Sequence, residues 1–173
     1  TMAAYIASKL CADTGRKVLL ISGNDLKAAH DAEDGQQLLE SGVACLPGGE
    51  IDLTRGASSH ESAWRRLEAL ARAQEGDIRL LCTSMDAALQ RMGSADRFRE
   101  ETIRLAPGDR IDLNDLIRRL TAMGYERVSM VEGKGQCALR GGIIDVYPPA
   151  CSQSLRIEFF DDEVDSIHEF DCI

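Results

Sequence analysis

The sequence predicts an α/β fold in two parts: a parallel-sheet domain over residues 1–101, then a small α+β domain with an antiparallel sheet over residues 102–173. Three observations predict it. Over roughly the first 100 residues, short apolar runs alternate with helical periodicities, the pattern of βα units around a parallel sheet. One amphipathic helix then precedes an unbroken series of strands and turns, which is α+β order. Finally, residues 140–171, RGGIIDVYPPACSQSLRIEFFDDEVDSIHEFD, combine a glycine turn, a Pro-Pro stop and an Asp-Asp turn with strand-like runs.

In the first part, Tyr5, Ile6 and Leu10 stand at helical spacing, so residues 1–13 are expected to open inside a helix, as in a fragment. Residues 17–22, KVLLIS, form a continuous apolar run of the kind buried in a parallel sheet. A polar helix over about 24–40 and a short strand, GVACL at 42–46, follow. Ser58 and Glu61 have capping-box spacing and open a helix with Trp64, Leu67 and Leu70 on one face and Gly76 as its C-terminal cap. Residues 78–82, IRLLC, are the third strand, and Thr83 or Ser84 caps a helix carrying Ala88, Leu89 and Met92.

In the second part, residues 102–105 read as a connector strand. Asp112 caps a helix bearing Leu113, Leu116, Ile117 and Leu120, which Gly124 ends. Gly133-Lys134-Gly135 reads as a hairpin. Gly141 and Gly142 tolerate turn angles that a side chain forbids, and Pro148-Pro149 cannot continue a ladder. Asp161-Asp162 between two strand-like runs is a two-residue hairpin, since Asp is tolerated in left-handed positions. The strand pattern still runs at Ile173, as in a truncated chain.

Composition narrows the function. A hydrophobic fraction of 44% and a charged fraction of 28% are those of a soluble globular protein. No apolar run has the length of a membrane span and no signal pattern opens the chain, so a cytoplasmic location is expected. Cys11, Cys45, Cys82, Cys137, Cys151 and Cys172 form no Cys-x-x-Cys pair and have no His at ligand spacing, which disfavours zinc; reduced thiols are expected. The net charge of -9 opposes autonomous binding to nucleic acid and points to a protein partner.

Catalytic motifs are hard to find. A nucleotide-hydrolysing domain needs a Gly-rich loop ending in Gly-Lys-Ser/Thr before a helix. The nearest match, Asp13-Thr14-Gly15-Arg16-Lys17, leads into a strand. Asp161-Asp162-Glu163 imitates a magnesium-binding acidic motif, and a small enzyme built around Asp161 is the reading to weigh against a simple turn. The flanking alternation favours the turn. His30, His60 and His168 are scattered, as solvated surface histidines are. No Gly-x-Ser-x-Gly elbow occurs. The expected catalytic, metal and cofactor residues are therefore none.

The remaining candidates are Arg140, Arg156 and Phe160. Arg156, Glu158 and Phe160 share strand parity opposite Leu155, Ile157 and Phe159. An outward Arg beside an outward aromatic is interface chemistry. Spacing alone leaves Phe160 either on that outward face or in a second buried one.

Residues 140–171, with residues 103–132 (IRLAPGDRIDLNDLIRRLTAMGYERVSMVE), resemble the second domain of the N-terminal UvrB-homology module of bacterial transcription-repair coupling factors. By pattern and order the likeness continues back to Thr1. It implies a degenerate helicase-like first domain without its phosphate loop, and a second domain that docks UvrA, the damage-recognition protein of nucleotide excision repair. Such a piece has no chemistry or cofactor of its own. The resemblance further implies that RNA polymerase and DNA would be engaged by other parts of an ATP-driven translocase, and that the docking surface would be open to masking in the resting parent. The family's contact residues are the Arg opening the Arg-Gly turn, the Arg before the Phe-Phe strand and the second Phe, which fall on Arg140, Arg156 and Phe160. Cys137, where the family often has an aromatic, departs from the pattern near that face. The alternative is a fragment of UvrB, the ATP-dependent excinuclease subunit. It would carry a Tyr-rich hairpin where residues 50–59, EIDLTRGASS, contain no Tyr.

Overall fold

The computed structural model describes residues 1–49 and 60–172. Ser58 and the Glu61 side chain of the expected capping box, and the tyrosine-free stretch at 50–59, lie outside what it describes. The chain divides into two compact units, Thr1–Met92 and Gly93–Ile173.

The first unit runs α1 (Met2–Thr14), β1 (Val18–Ser22), α2 (Asp25–Leu38), β2 (Val43–Leu46), α3 (His60–Glu75), β3 (Leu80–Ser84) and α4 (Met85–Leu89). The three strands are parallel in the order β1-β3-β2. The path goes out from β1 to β2 and returns to β3. Right-handed crossovers in opposite directions put their helices on opposite faces. Accordingly, α1 and α2 pack on Leu80, Cys82 and Val43, whereas α3 sets Ala69 against Ala44, Leu46 and Ile78. Asn24 and Ser84 cap α2 and α4 by accepting backbone N–H groups three residues on. Gly35 lies inside α2 because a β-carbon there would stand 2.8 Å from the Leu80 side chain.

Three expectations about this unit need correction. In helix α1 the Thr1 hydroxyl accepts from Ala4 N–H. Its buried face is Ala4, Ala7, Ser8 and Cys11, while Tyr5, Ile6 and Leu10 are exposed. Small residues let the helix approach its neighbours closely, so the bulky periodic ones face outward. Among the described residues, strand β1 is at the edge of the sheet rather than fully buried: Val18 and Leu20 join the core, but Leu19 and Ile21 are 56% and 44% exposed. Helix α4 stops at Leu89, short of Met92, where Gln90 turns extended and its amide pairs with both backbone groups of Gly49.

The second unit opens with an unanticipated helix, α5 (Ala95–Glu101), capped by Ser94. Residues 102–105 form no strand; Ile103 and Leu105 pack against the core instead. Residues 108–111 run beside β8 (Glu163–Phe170), bonded to Asp162 and Val164 backbone groups. Helix α6 (Leu113–Ala122) has Asp112 as its cap and buries Leu116, Ile117 and Leu120, as the spacing predicts. Gly124 then takes a left-handed φ of 95°.

Five strands, β4 (Glu126–Arg127), β5 (Gln136–Arg140), β6 (Ile143–Val146), β7 (Ser154–Phe160) and β8, lie in sequence order. The last four are antiparallel neighbours, but β4 is parallel to β5. The sheet is therefore mixed, and Gly133-Lys134-Gly135 is a turn within a crossover rather than a hairpin. One sheet face, with Cys137, Ile144, Val146, Ile157 and Val164, packs on α6. No helix among the described residues is long and apolar enough to cross a membrane.

Candidate functional site

Two hairpins build the site on the sheet face opposite α6. Arg140 ends β5 and pairs with Ile143 across Gly141-Gly142, with Gly141 at a φ of 59°. A positive φ at the first central position is what a tight two-residue hairpin needs. Gly142 is required for another reason: a β-carbon there would meet the Phe159 carbonyl oxygen at 3.0 Å, and Phe159 N–H donates to Gly142 O at 2.8 Å. The tip of the first hairpin thus rests on the backbone of β7.

The second hairpin turns at Asp161-Asp162, where Asp161 has a positive φ, 59°, the one such non-glycine residue among the described residues. The acidic triplet that imitates a metal motif is this turn, and Glu163 pairs across it with Phe160. The register shifts between Glu158 and Phe159, leaving Asp165 without a partner across the ladder. Such a bulge increases local twist. Phe159 pairs with Val164 on the core side and Phe160 projects outward, 81% exposed. Of the two readings the spacing leaves open, the outward one holds. Cys137 lies on the opposite face, fully buried in the core, and burial pushes its thiol up.

The structure joins Arg140 and Arg156 through a residue that sequence reasoning did not single out. Asp145 sits on β6, directly across from Arg156 on one side and Ala138 on the other. It is 2% exposed. Arg156 Nε donates to Asp145 Oδ1 at 2.7 Å and Nη2 to Oδ2 at 2.9 Å, a forked pair. Arg140 Nη2 donates to the same Oδ2. Burial would raise the Asp145 carboxyl, but the hydrogen bonds and charges of Arg156 and Arg140 outweigh it and hold the group below its ordinary value. The Arg156 guanidinium also stacks 4.9 Å from the Phe170 ring centroid, and Asp145 raises its pKa. The arginine side chains remain 52% (Arg140) and 35% (Arg156) exposed.

The arrangement is two half-exposed guanidiniums fixed on one buried anion, with an uncovered phenyl ring further along β7. It offers charge-assisted donors and an apolar anchor. His30 and His168 are exposed, as expected of solvated histidines; the His60 side chain lies outside the described residues. A faint signal for Asp145 existed: a lone carboxylate in the strand Ile143–Val146 must face opposite Ile144, toward Arg156's side of the sheet.

The UvrB interaction domain family matches residues 103–173, which contain the whole site. Transcription-repair-coupling factors are similar over nearly the entire chain. The Bacillus subtilis protein is 32% identical over 169 residues, 96% of this chain and 14% of its own length. The Staphylococcus haemolyticus protein is 34% identical over 174 residues, 98% of this chain and 14% of its own length. A Staphylococcus epidermidis protein is 38% identical over 107 residues, 62% of this chain. The chain thus spans about one seventh of the curated relatives that it matches from end to end. Residues 103–173 are therefore a UvrB interaction domain, and the chain as a whole belongs with the transcription-repair-coupling factors.

Proposed function

We propose that this chain is a non-catalytic docking module that recruits the nucleotide excision repair protein UvrA, and that within a longer coupling factor it does so at stalled RNA polymerase. Arg140, Arg156 and Phe160 form the contact surface. The observation that carries this reading is an exposed phenylalanine on the same sheet face as two guanidiniums fixed to one buried carboxylate, on a UvrB interaction domain. A monomer gains nothing from leaving Phe160 in water, whereas burying such a ring in a partner is worth about 1.5–3 kcal/mol. The arginines supply direction and charge that the phenyl ring lacks. On the same reading the first unit is a helicase-like domain without a phosphate loop, and no cofactor is involved.

Phe160→Ala is the direct test. Its side chain is outside the core, so the variant should keep its melting transition while its affinity for purified UvrA falls by about thirtyfold, the loss of an anchor worth about 2 kcal/mol. Arg156→Ala should lose UvrA as well, with some loss of stability, because it strips Asp145 of its forked partner. Parent-like affinity in both variants, measured by calorimetry, would refute the assignment.

A further inference from the structure

We infer that Asp145 is the positioning residue of this docking surface: it orients the Arg140 and Arg156 guanidiniums so that an acidic side chain of the partner, next to the recess that takes Phe160, meets donors already in place. The inference rests on the UvrA reading and deepens it.

The burial is the first reason. Carboxylates are rarely buried without a use, and a well-packed apolar residue in place of a buried ion pair is commonly neutral or stabilising. Ile143, which shares this face of β6, shows that an apolar residue fits the strand. Asp145 therefore brings the sheet a desolvation cost with no packing return. What it brings instead is geometry. A free surface arginine samples many rotamers, and ordering it on a partner opposes binding. Here that ordering happens on folding.

Donor counting is the second reason. A guanidinium has five N–H groups. Arg156 commits Nε and one Nη2 hydrogen to Asp145, and the Phe170 ring covers one face. The uncommitted donors are Nη1 and the second Nη2 hydrogen, a second fork suited to a carboxylate. Arg140 commits Nη2 alone, leaving Nε and Nη1. Asp145 offsets one of the two cations, and Glu158 on the same face lies near enough to act on Arg156, so the attraction here comes from the uncommitted donor edges rather than from a net local charge. An acidic group on the partner is held by those donors and repelled by most of the remaining surface of a chain whose net charge is -9.

The test compares Asp145→Asn, Arg156→Lys and Phe160→Ala with the parent chain. Readouts are UvrA affinity, thermal melting and the NMR signal of the Arg156 Nε–H. Asp145→Asn keeps the volume and an acceptor but removes the charge. It should weaken UvrA binding by about tenfold or more, since hydrogen bonds to charged groups are worth about 1.5–3 kcal/mol. The melting transition should stay cooperative, while the Nε–H signal, which should be distinct and slowly exchanging in the parent, should move to the position of exposed arginines. Arg156→Lys keeps the charge without the fork and should weaken binding similarly. A merely structural aspartate would change melting without moving the arginine signal.

Parent-like affinity in Asp145→Asn, with Phe160→Ala defective, overturns the positioning role and leaves the UvrA reading standing. An unchanged Nε–H signal in Asp145→Asn overturns it too. If Asp145→Asn does not fold, Arg156→Lys decides, and parent-like affinity there overturns the inference. Parent-like affinity in Phe160→Ala and Arg156→Lys together overturns the UvrA reading and the inference with it.

Discussion

Asp31 in the first unit and Asp145 in the second are both buried carboxylates with depressed pKa values, yet their partners differ in kind. Asp31, on α2, accepts from the Ser22 hydroxyl at 2.6 Å and from the Thr1 hydroxyl. Burial would raise it, and these hydroxyl bonds, helped by the nearby Lys27 and terminal charges, hold it down. Asp145 accepts from two guanidiniums that reach it from half-exposed side chains. A carboxylate bonded by hydroxyls ties the end of β1 to α2 and presents nothing to the outside. A carboxylate bonded by arginines holds cations whose other edges remain available. Burial and a shifted pKa are common to both, so neither identifies a functional site; the partner's chemistry does.

The largest expected effect that would separate the two is on stability. Asp31→Ala leaves the buried Ser22 hydroxyl without its acceptor, costing about 1–3 kcal/mol and lowering the melting temperature by several degrees. Its affinity for UvrA should stay at the parent value. Weakened UvrA binding at full occupancy of the folded state would erase the distinction between the two carboxylates.

A smaller effect comes from pH. The folded Asp145 carboxyl lies below its unfolded value, so its contribution is complete above the ordinary carboxylate range and is lost as pH falls through the folded value. The arginines stay charged throughout. Urea midpoints of the parent and Asp145→Asn should therefore differ at about pH 7 and converge as the pH falls below the ordinary carboxylate range. A gap that persists undiminished in acid would mean that the carboxylate's charge is not what the arginines recognise.

The smallest expected signal is none. Ser22 ends β1, and in parallel α/β sheets ligands bind outside the carboxyl ends of strands. If Asp31 is only a structural tie there, calorimetry with ATP and magnesium should show no saturable heat. Duplex DNA should likewise show no shift at physiological salt, given the net charge of -9. Micromolar ATP binding would return the first unit to nucleotide chemistry.

The second unit was more legible in the sequence than the first, for physical reasons. Its sheet is covered by α6 on one face, so β7 alternates cleanly and separates Leu155, Ile157 and Phe159 from Arg156 and Phe160. Asp161 betrays its turn because few residues adopt a positive φ. In the first unit, helices pack on both sheet faces, so periodicity carries no face information; β1 looks like a buried strand yet is an edge among the described residues. In α1 the apolar spacing marks the exposed side, since the contact is made through alanines. The β4–β5 crossover was misread because a glycine turn looks the same whether the strands it joins are parallel or antiparallel. Asp145 was missed for a related reason. A single carboxylate in an apolar strand signals only an outward direction, and its partners lie 5 and 11 residues away in sequence.

Gly142 bears on how this surface could be copied or blocked. Arg140 belongs to one hairpin and Phe160 to another, and the close approach of Gly142 to the Phe159 carbonyl ties them into one body through main-chain atoms. The epitope is discontinuous in sequence but rigid in space. A linear peptide spanning either hairpin would carry half of it and none of the tie, and so would be a poor mimic. A graft of the whole β5–β8 block onto another sheet would transfer it, provided that position 142 stays glycine.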